Sequence, residues 1–217
     1  MPDNLPIVAP GKRLIVSGMT GSGKSTLVCW LLNRSRQHWI IFNPKWTDAY
    51  TNLPDSNTLK GFDDKKFMAS VKKYKYTIIN FTADESTPQF MDDVLDFIHH
   101  SFENVGVCLD ELYTVHSNGQ AGRGLISLLT RGRELKQTFI GATQRPKWIS
   151  RFCYSEADYV STMQLNLRED LKTLRDNTGS DYFLEKLGER RWFWYNVAKD
   201  DMKKYGPVPL VKREARP

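Results

Sequence analysis

One segment constrains this chain more than any other. Residues 13–32 read RLIVSGMTGSGKSTLVCWLL, an apolar run, a glycine-rich turn and then apolar residues at helical spacing. A strand entering a helix through GxxxxGK[ST] is a phosphate-binding loop, and that flanking context distinguishes it from a glycine turn with an incidental lysine. Gly18, Gly21 and Gly23 let the backbone turn tightly and approach a polyphosphate. Backbone N–H groups around Thr20 and Ser22 then converge on it, at the positive end of the helix beginning near Lys24. Lys24 is expected to reach the β and γ phosphates and Ser25 to offer its hydroxyl to a metal ion, with Thr26 as a second candidate. The predicted ligands are ATP and Mg2+.

A loop of this kind sits in an α/β sheet, and the rest of the chain supplies one. Short apolar, β-branched runs at 13–17, 39–42, 76–81, 105–110 and 139–143 read as buried strands. Residues 24–34, 87–102 and 122–135 carry helical spacing, the last with leucines and isoleucine on one face and arginines on another. The expected fold is α/β, a central mostly parallel sheet flanked by helices. Residues 45–74 are polar, with Pro54, Gly61 and a run of aspartates and lysines, and are expected to form an elaborated surface insertion.

The 217 residues suit one domain, with a core over about 12–200 and the tail GPVPLVKREARP peripheral to the chemistry. A net charge of +6 makes nucleic acid a plausible partner without excluding an ordinary basic enzyme. Cys29, Cys108 and Cys153 lack the close spacing of metal sites or disulfide frameworks and read as reduced core residues. No apolar run approaches the ~20 residues of a membrane span, and the start MPDNLPIVAP is unlike a signal peptide, so a cytosolic protein is expected.

A second constellation is VGVCLDEL, a wholly apolar strand ending in Asp110 and Glu111. Ligands of open α/β sheets bind at the carboxyl ends of strands. Asp110 is expected to hold the magnesium hydration shell, and Glu111 to polarise a water for in-line attack on the γ phosphate; a solvated acidic turn is the bland alternative. The strand at 139–143 delivers Gln144, a candidate γ-phosphate sensor, followed by Arg145 and Pro146. Just upstream, LLTRGRELKQ places Arg131 and Arg133 around a glycine. Either serves as an arginine finger acting across a subunit boundary, or as part of a charged helix end favoured by the dipole. Residues 192–195 within RRWFWYNV read as a closing core strand rather than a platform on which bases stack.

Taken together, GMTGSGKST, VCLDEL, LLTRGREL and IGATQRP resemble the FtsK/HerA superfamily of ring-forming DNA-pumping ATPases. Within it they look like the compact genome-packaging ATPases of tailless icosahedral viruses with an internal membrane, the tectivirus type. The resemblance covers residues 13–146 and implies a RecA/HerA-like P-loop fold. It carries Lys24 and Ser25 onto nucleotide and magnesium, Asp110 and Glu111 onto the acidic pair, Gln144 onto the sensor and Arg133 onto the trans arginine. It further implies ATP hydrolysis driving double-stranded DNA into a preformed capsid, a homo-oligomeric ring, and capsid vertex or portal partners. The protein is expected in the host cytoplasm during assembly, or associated with the virion at the packaging vertex. Where cellular relatives often show acid-Pro-Lys after the second strand, this chain has Asn43, Pro44 and Lys45, leaving the role of Lys45 open. Two further readings stay in view: another translocase of this type, and a P-loop kinase or nucleotide-switched assembly factor.

Overall fold

The computed structural model describes residues 5–185 and 187–209. In chain order the strands are β1 (Arg13–Ser17), β2 (His38–Phe42), β3 (Ser56–Lys60), β4 (Tyr76–Asn80), β5 (Val105–Asp110), β6 (His116–Ser117), β7 (Gln120–Ala121), β8 (Thr138–Thr143), β9 (Tyr159–Thr162), β10 (Trp192–Asn196) and β11 (Asp201–Tyr205). The helices are α1 (Lys24–Arg34), α2 (Asp48–Thr51), α3 (Asp64–Lys73), α4 (Pro88–Ser101), α5 (Arg123–Thr130), α6 (Arg151–Ser155) and α7 (Arg168–Thr178). Among the described residues nine strands form one sheet in the order β11-β10-β9-β1-β8-β5-β2-β4-β3, while β6 and β7 make a separate hairpin. From β9 to β3 every neighbouring pair is parallel. Among the described residues the antiparallel pairs of this sheet are the two that β10 makes, with β9 and with β11. The structure therefore has the expected α/β architecture.

Period-2 alternation sorts each inner strand between two apolar layers. Ile15, Ile40, Phe42, Ile79, Val107, Leu109 and Phe139 belong to the layer that takes in Phe67 of α3, Leu95 and Ile98 of α4, and Leu125 and Leu128 of α5. Leu14, Val16, Trp39, Ile41, Ile78 and Ile140 point the other way, into the layer with Leu27, Val28, Leu31 and Leu32 of α1. Strands covered on both faces have no polar side to show, so they read as unbroken apolar runs. The same coverage accounts for β10, whose Trp192, Phe193, Trp194 and Tyr195 are all buried. That aromatic run packs within the core and is not a stacking platform.

Local sequence fixes the helix ends. Thr87 caps α4, its Oγ1 accepting from the Phe90 N–H at 3.3 Å, and Pro88 occupies the first turn, where a missing N–H costs nothing. Helix α5 stops at Thr130, short of the expected 135, because the chain reverses at Gly132. A Cβ there would lie 2.4 Å from the Leu128 carbonyl oxygen, and the Gln137 N–H returns to the Gly132 carbonyl at 2.7 Å.

Residues 45–74 are not a surface insertion. They supply α2, the edge strand β3 and α3, whose Phe67 and Val71 are buried. The sequence SNTLK hides a strand because an edge position leaves its side chains partly exposed and removes the apolar signal. The tail from residue 210 onward lies outside the described residues. All three cysteines are buried and free, and burial pushes the Cys29 and Cys153 thiols up to about 12.

The β2–β5 junction carries a packing test. Trp39 and Gly106 are register partners, and a Cβ on Gly106 would fall 2.4 Å from the indole. Gly106→Ala is expected to destabilise the protein by about 1–3 kcal/mol in urea unfolding, the usual cost of overpacking a core. An unchanged midpoint would refute this packing of the two strands.

Candidate functional site

Four adjacent strands, β1, β8, β5 and β2, end along one edge of the sheet, and each leads into a segment of the site. After β1 the chain enters the glycine turn, pinned to its neighbours by the Gly18 N–H on the Thr143 carbonyl at 3.1 Å and the Met19 N–H on the Gln164 carbonyl at 2.9 Å. Gly21 and Gly23 have φ of +78° and +96°, a left-handed backbone open to glycine at little cost. A Cβ on Gly18 would come within 2.6 Å of the Ser22 hydroxyl and 3.1 Å of the Met163 Cβ, so a side chain there would displace Ser22 within the turn. Helix α1 begins at Lys24 with no side-chain cap and no acid in its first turn. Its leading N–H groups and dipole are thus left to an external anion.

Strand β5 delivers the two carboxylates into different company. Asp110, buried, accepts from the Tyr50 hydroxyl at 3.0 Å and the Thr47 hydroxyl at 3.1 Å, with the Lys24 ammonium 3.8 Å away. Burial, reinforced by Asp110, holds the Tyr50 phenol well above its ordinary range, so it stays a donor. Glu111 is 1% exposed and has a left-handed backbone, φ +86°. Such a conformation in a non-glycine residue costs on the order of 1 kcal/mol and persists only where its surroundings hold it. The holding contacts are the Glu111 N–H to the Ala142 carbonyl at 3.1 Å, the Gln144 N–H to Glu111 Oε1 at 3.0 Å, and Lys45 Nζ to Glu111 Oε2. The open question about Lys45 is thereby answered: it pairs with the second acid. Thr47 and Tyr50 were hidden inside the polar stretch after β2. Only the NPK turn behind an apolar strand marks that region as special.

Gln144 follows β8, and its Oε1 accepts from the Thr20 hydroxyl at 2.9 Å, tying the candidate sensor to the phosphate loop. Arg145 points elsewhere. It bonds Asp170 through Nε at 2.9 Å and Glu169 through Nη2 at 2.5 Å, and stacks over Trp148, anchoring the start of α7. Arg131 and Arg133 stand at the opposite end of the sheet, where strands begin. The Arg133 carbonyl lies 3.3 Å from a Cβ built on Gly11, beside the start of β1, and its guanidinium is 3.4 Å from Asp158. The six residues of β8 span roughly 20 Å between these arginines and the glycine turn. Neither can serve the phosphate loop of its own chain.

The donors available to a metal are hard oxygens, the Ser25 hydroxyl and the Asp110 carboxylate. Among the described residues no cluster of three or more His, Cys, Asp or Glu offers a cage of its own. That set fits Mg2+, which usually arrives with phosphate oxygens and waters as its other ligands. No helix among the described residues is long and apolar enough to cross a membrane.

No protein-family model matches the chain. It is 32% identical over 180 residues to the DNA packaging ATPase P9 of Enterobacteria phage PRD1, covering 81% of this chain and 73% of that protein. Among solved structures it is similar to B204, the DNA-packaging ATPase from Sulfolobus Turreted Icosahedral Virus, with a TM-score of 0.74 at 15% identity, covering 93% of this chain and 100% of the other. The genome packaging NTPase B204 of Sulfolobus turreted icosahedral virus 2, in complex with ATP-gammaS, matches with a TM-score of 0.70 at 17% identity, covering 92% and 99%. At such identities the structural likeness establishes the fold.

Removing the phenol that faces Asp110 tests the clamp. Tyr50→Phe keeps the ring and takes one donor from a buried carboxylate, at an expected cost of about 1–3 kcal/mol in denaturant unfolding. A variant as stable as the wild type would mean that Tyr50 does not hold Asp110.

Proposed function

We propose a function from one premise: the chain belongs to the viral DNA-packaging ATPases, within the FtsK/HerA type of P-loop ATPase. The reading the site supports best is ATP hydrolysis that drives double-stranded DNA into a preformed capsid. The observation that carries it is the convergence of the glycine turn, Gln144, the two acids and Lys45 on one edge of four neighbouring parallel strands. Binding of ATP-gammaS by a protein of the same fold supports a triphosphate there.

In this reading the backbone of Gly18, Thr20, Gly21, Ser22 and Gly23 cradles the polyphosphate. Lys24 meets the β and γ phosphates, with Thr26 beside them. Ser25 and Asp110 would hold Mg2+, which would supply positive charge to neutralise the phosphate oxygens. Glu111 takes a proton from the attacking water. Gln144 spends its Oε1 on Thr20, which leaves its NH2 to donate to the γ phosphate. Arg133, or Arg131, stabilises the transferred phosphoryl group of a neighbouring subunit, a role that requires a homo-oligomeric ring and suits their distance from their own loop. Duplex DNA is held through its phosphates, with little sequence preference and strong salt dependence. Capsid vertex or portal proteins complete the set of partners, during assembly in the host cytoplasm or at the packaging vertex.

Steady-state hydrolysis with and without long linear duplex DNA tests the motor. Duplex DNA is expected to stimulate turnover, Glu111→Gln to bind ATP yet hydrolyse it about 10²- to 10⁴-fold more slowly, and Lys24→Ala to lose binding. Turnover indifferent to DNA would contradict the motor reading. The trans arginine is tested by mixing: Arg133→Ala and Lys24→Ala subunits, each inactive alone, are expected to recover partial activity together. Absence of recovery at every ratio would remove Arg133 from that role.

A further inference from the structure

We propose that Lys45 is the positioning residue for Glu111, and that the turn after β2 thereby sets both acids of the site. The inference rests on the reading of Glu111 as the base. That turn is itself fixed. Asn43 is buried, its Nδ2 donating to Asn80 Oδ1 at 2.8 Å and its Oδ1 accepting from the Thr47 N–H at 2.8 Å. The Trp46 indole N–H donates to the Phe81 carbonyl at 3.0 Å. Pro44 restricts the backbone between these anchors and Lys45. From this rigid base the chain sends Lys45 to Glu111, and Thr47 and Tyr50 to Asp110.

The Glu111 carboxylate needs such a partner. Its backbone sits in a left-handed conformation, and its side chain is held by contacts from two neighbouring strands' exits. The Gln144 N–H holds Oε1 from the β8 side, and the Lys45 ammonium holds Oε2 from the β2 side. An ionised carboxylate has about four acceptor sites, so two contacts fix its plane and leave others for a water. The water's proton passes to the carboxylate as its oxygen bonds the γ phosphorus and the bond to the β–γ bridging oxygen breaks, releasing ADP and phosphate. Lys45 takes no part in that exchange of bonds; it sets the angle at which Glu111 meets the water. At 41% exposed against 1% for its partner, the lysine side chain reaches the pair from the solvent side, so its removal takes away the cation on Glu111 and no apolar packing.

A double-mutant cycle in DNA-saturated hydrolysis tests this. Lys45→Ala is expected to lower kcat about 10- to 100-fold, the range for a misplaced catalytic group, with KM for ATP changed less than about threefold. Lys45→Arg, which keeps a cation within reach, should recover most of the loss. In the Glu111→Gln background Lys45→Ala should cost nothing more, because the group it positions is gone. An equal loss in both backgrounds, a change confined to KM, or no loss would each overturn the proposal. Undiminished hydrolysis by Glu111→Gln alone would instead overturn the role of Glu111, a different failure with a different signature.

Discussion

Parallel pairing of β1, β8, β5 and β2 is the constraint on which everything else here depends. Because these strands run the same way and lie side by side, whatever follows each of them emerges at one edge. The pairs Ser17 with Thr143 and Asp110 with Ala142 bring the strand ends level. Segments distant in sequence, at 18–25, 43–50, 110–111 and 144, therefore meet without any of them having to travel. The buried layers on the two sheet faces make this geometry stiff, since slipping one strand by a residue would exchange its two apolar sets.

Charge then decides how the edge is organised. Two carboxylates at a buried strand end need compensation, because an ionised acid removed from water without partners is costly. The structure meets this with two ammonium groups from different sides, Lys24 nearer Asp110 and Lys45 on Glu111, and with two hydroxyls on Asp110. The acids have separate partner sets, so each carboxylate is held independently of the other. The arginines 131 and 133 take no part in this local balance; they sit at the far end of the strands, facing outward from the fold.

How much of this could be read in the sequence follows from the same physics. The glycine turn, β5 and β8 were legible because a strand buried on both faces is a continuous apolar run and its exit is marked by unusual residues. Thr87 and Pro88 likewise announce the start of α4. Edge strand β3 was not legible, because SNTLK buries little. Nor was α7, in which only Asp170 and Leu174 are buried. The partners of the two acids were out of reach for another reason. Lys45 and Glu111 are 66 positions apart, and only the adjacency of β2 and β5, a property of the assembled sheet, brings them together.

If chemistry at this edge moves duplex DNA, displacement of a triplex-forming oligonucleotide from linear duplex DNA measures that movement directly. A DNA motor is expected to give ATP-dependent displacement as the wild-type protein, with a delay that lengthens as the triplex is placed farther from the DNA end, and none as Glu111→Gln. Sustained ATP hydrolysis on the same DNA with the triplex left in place would contradict it.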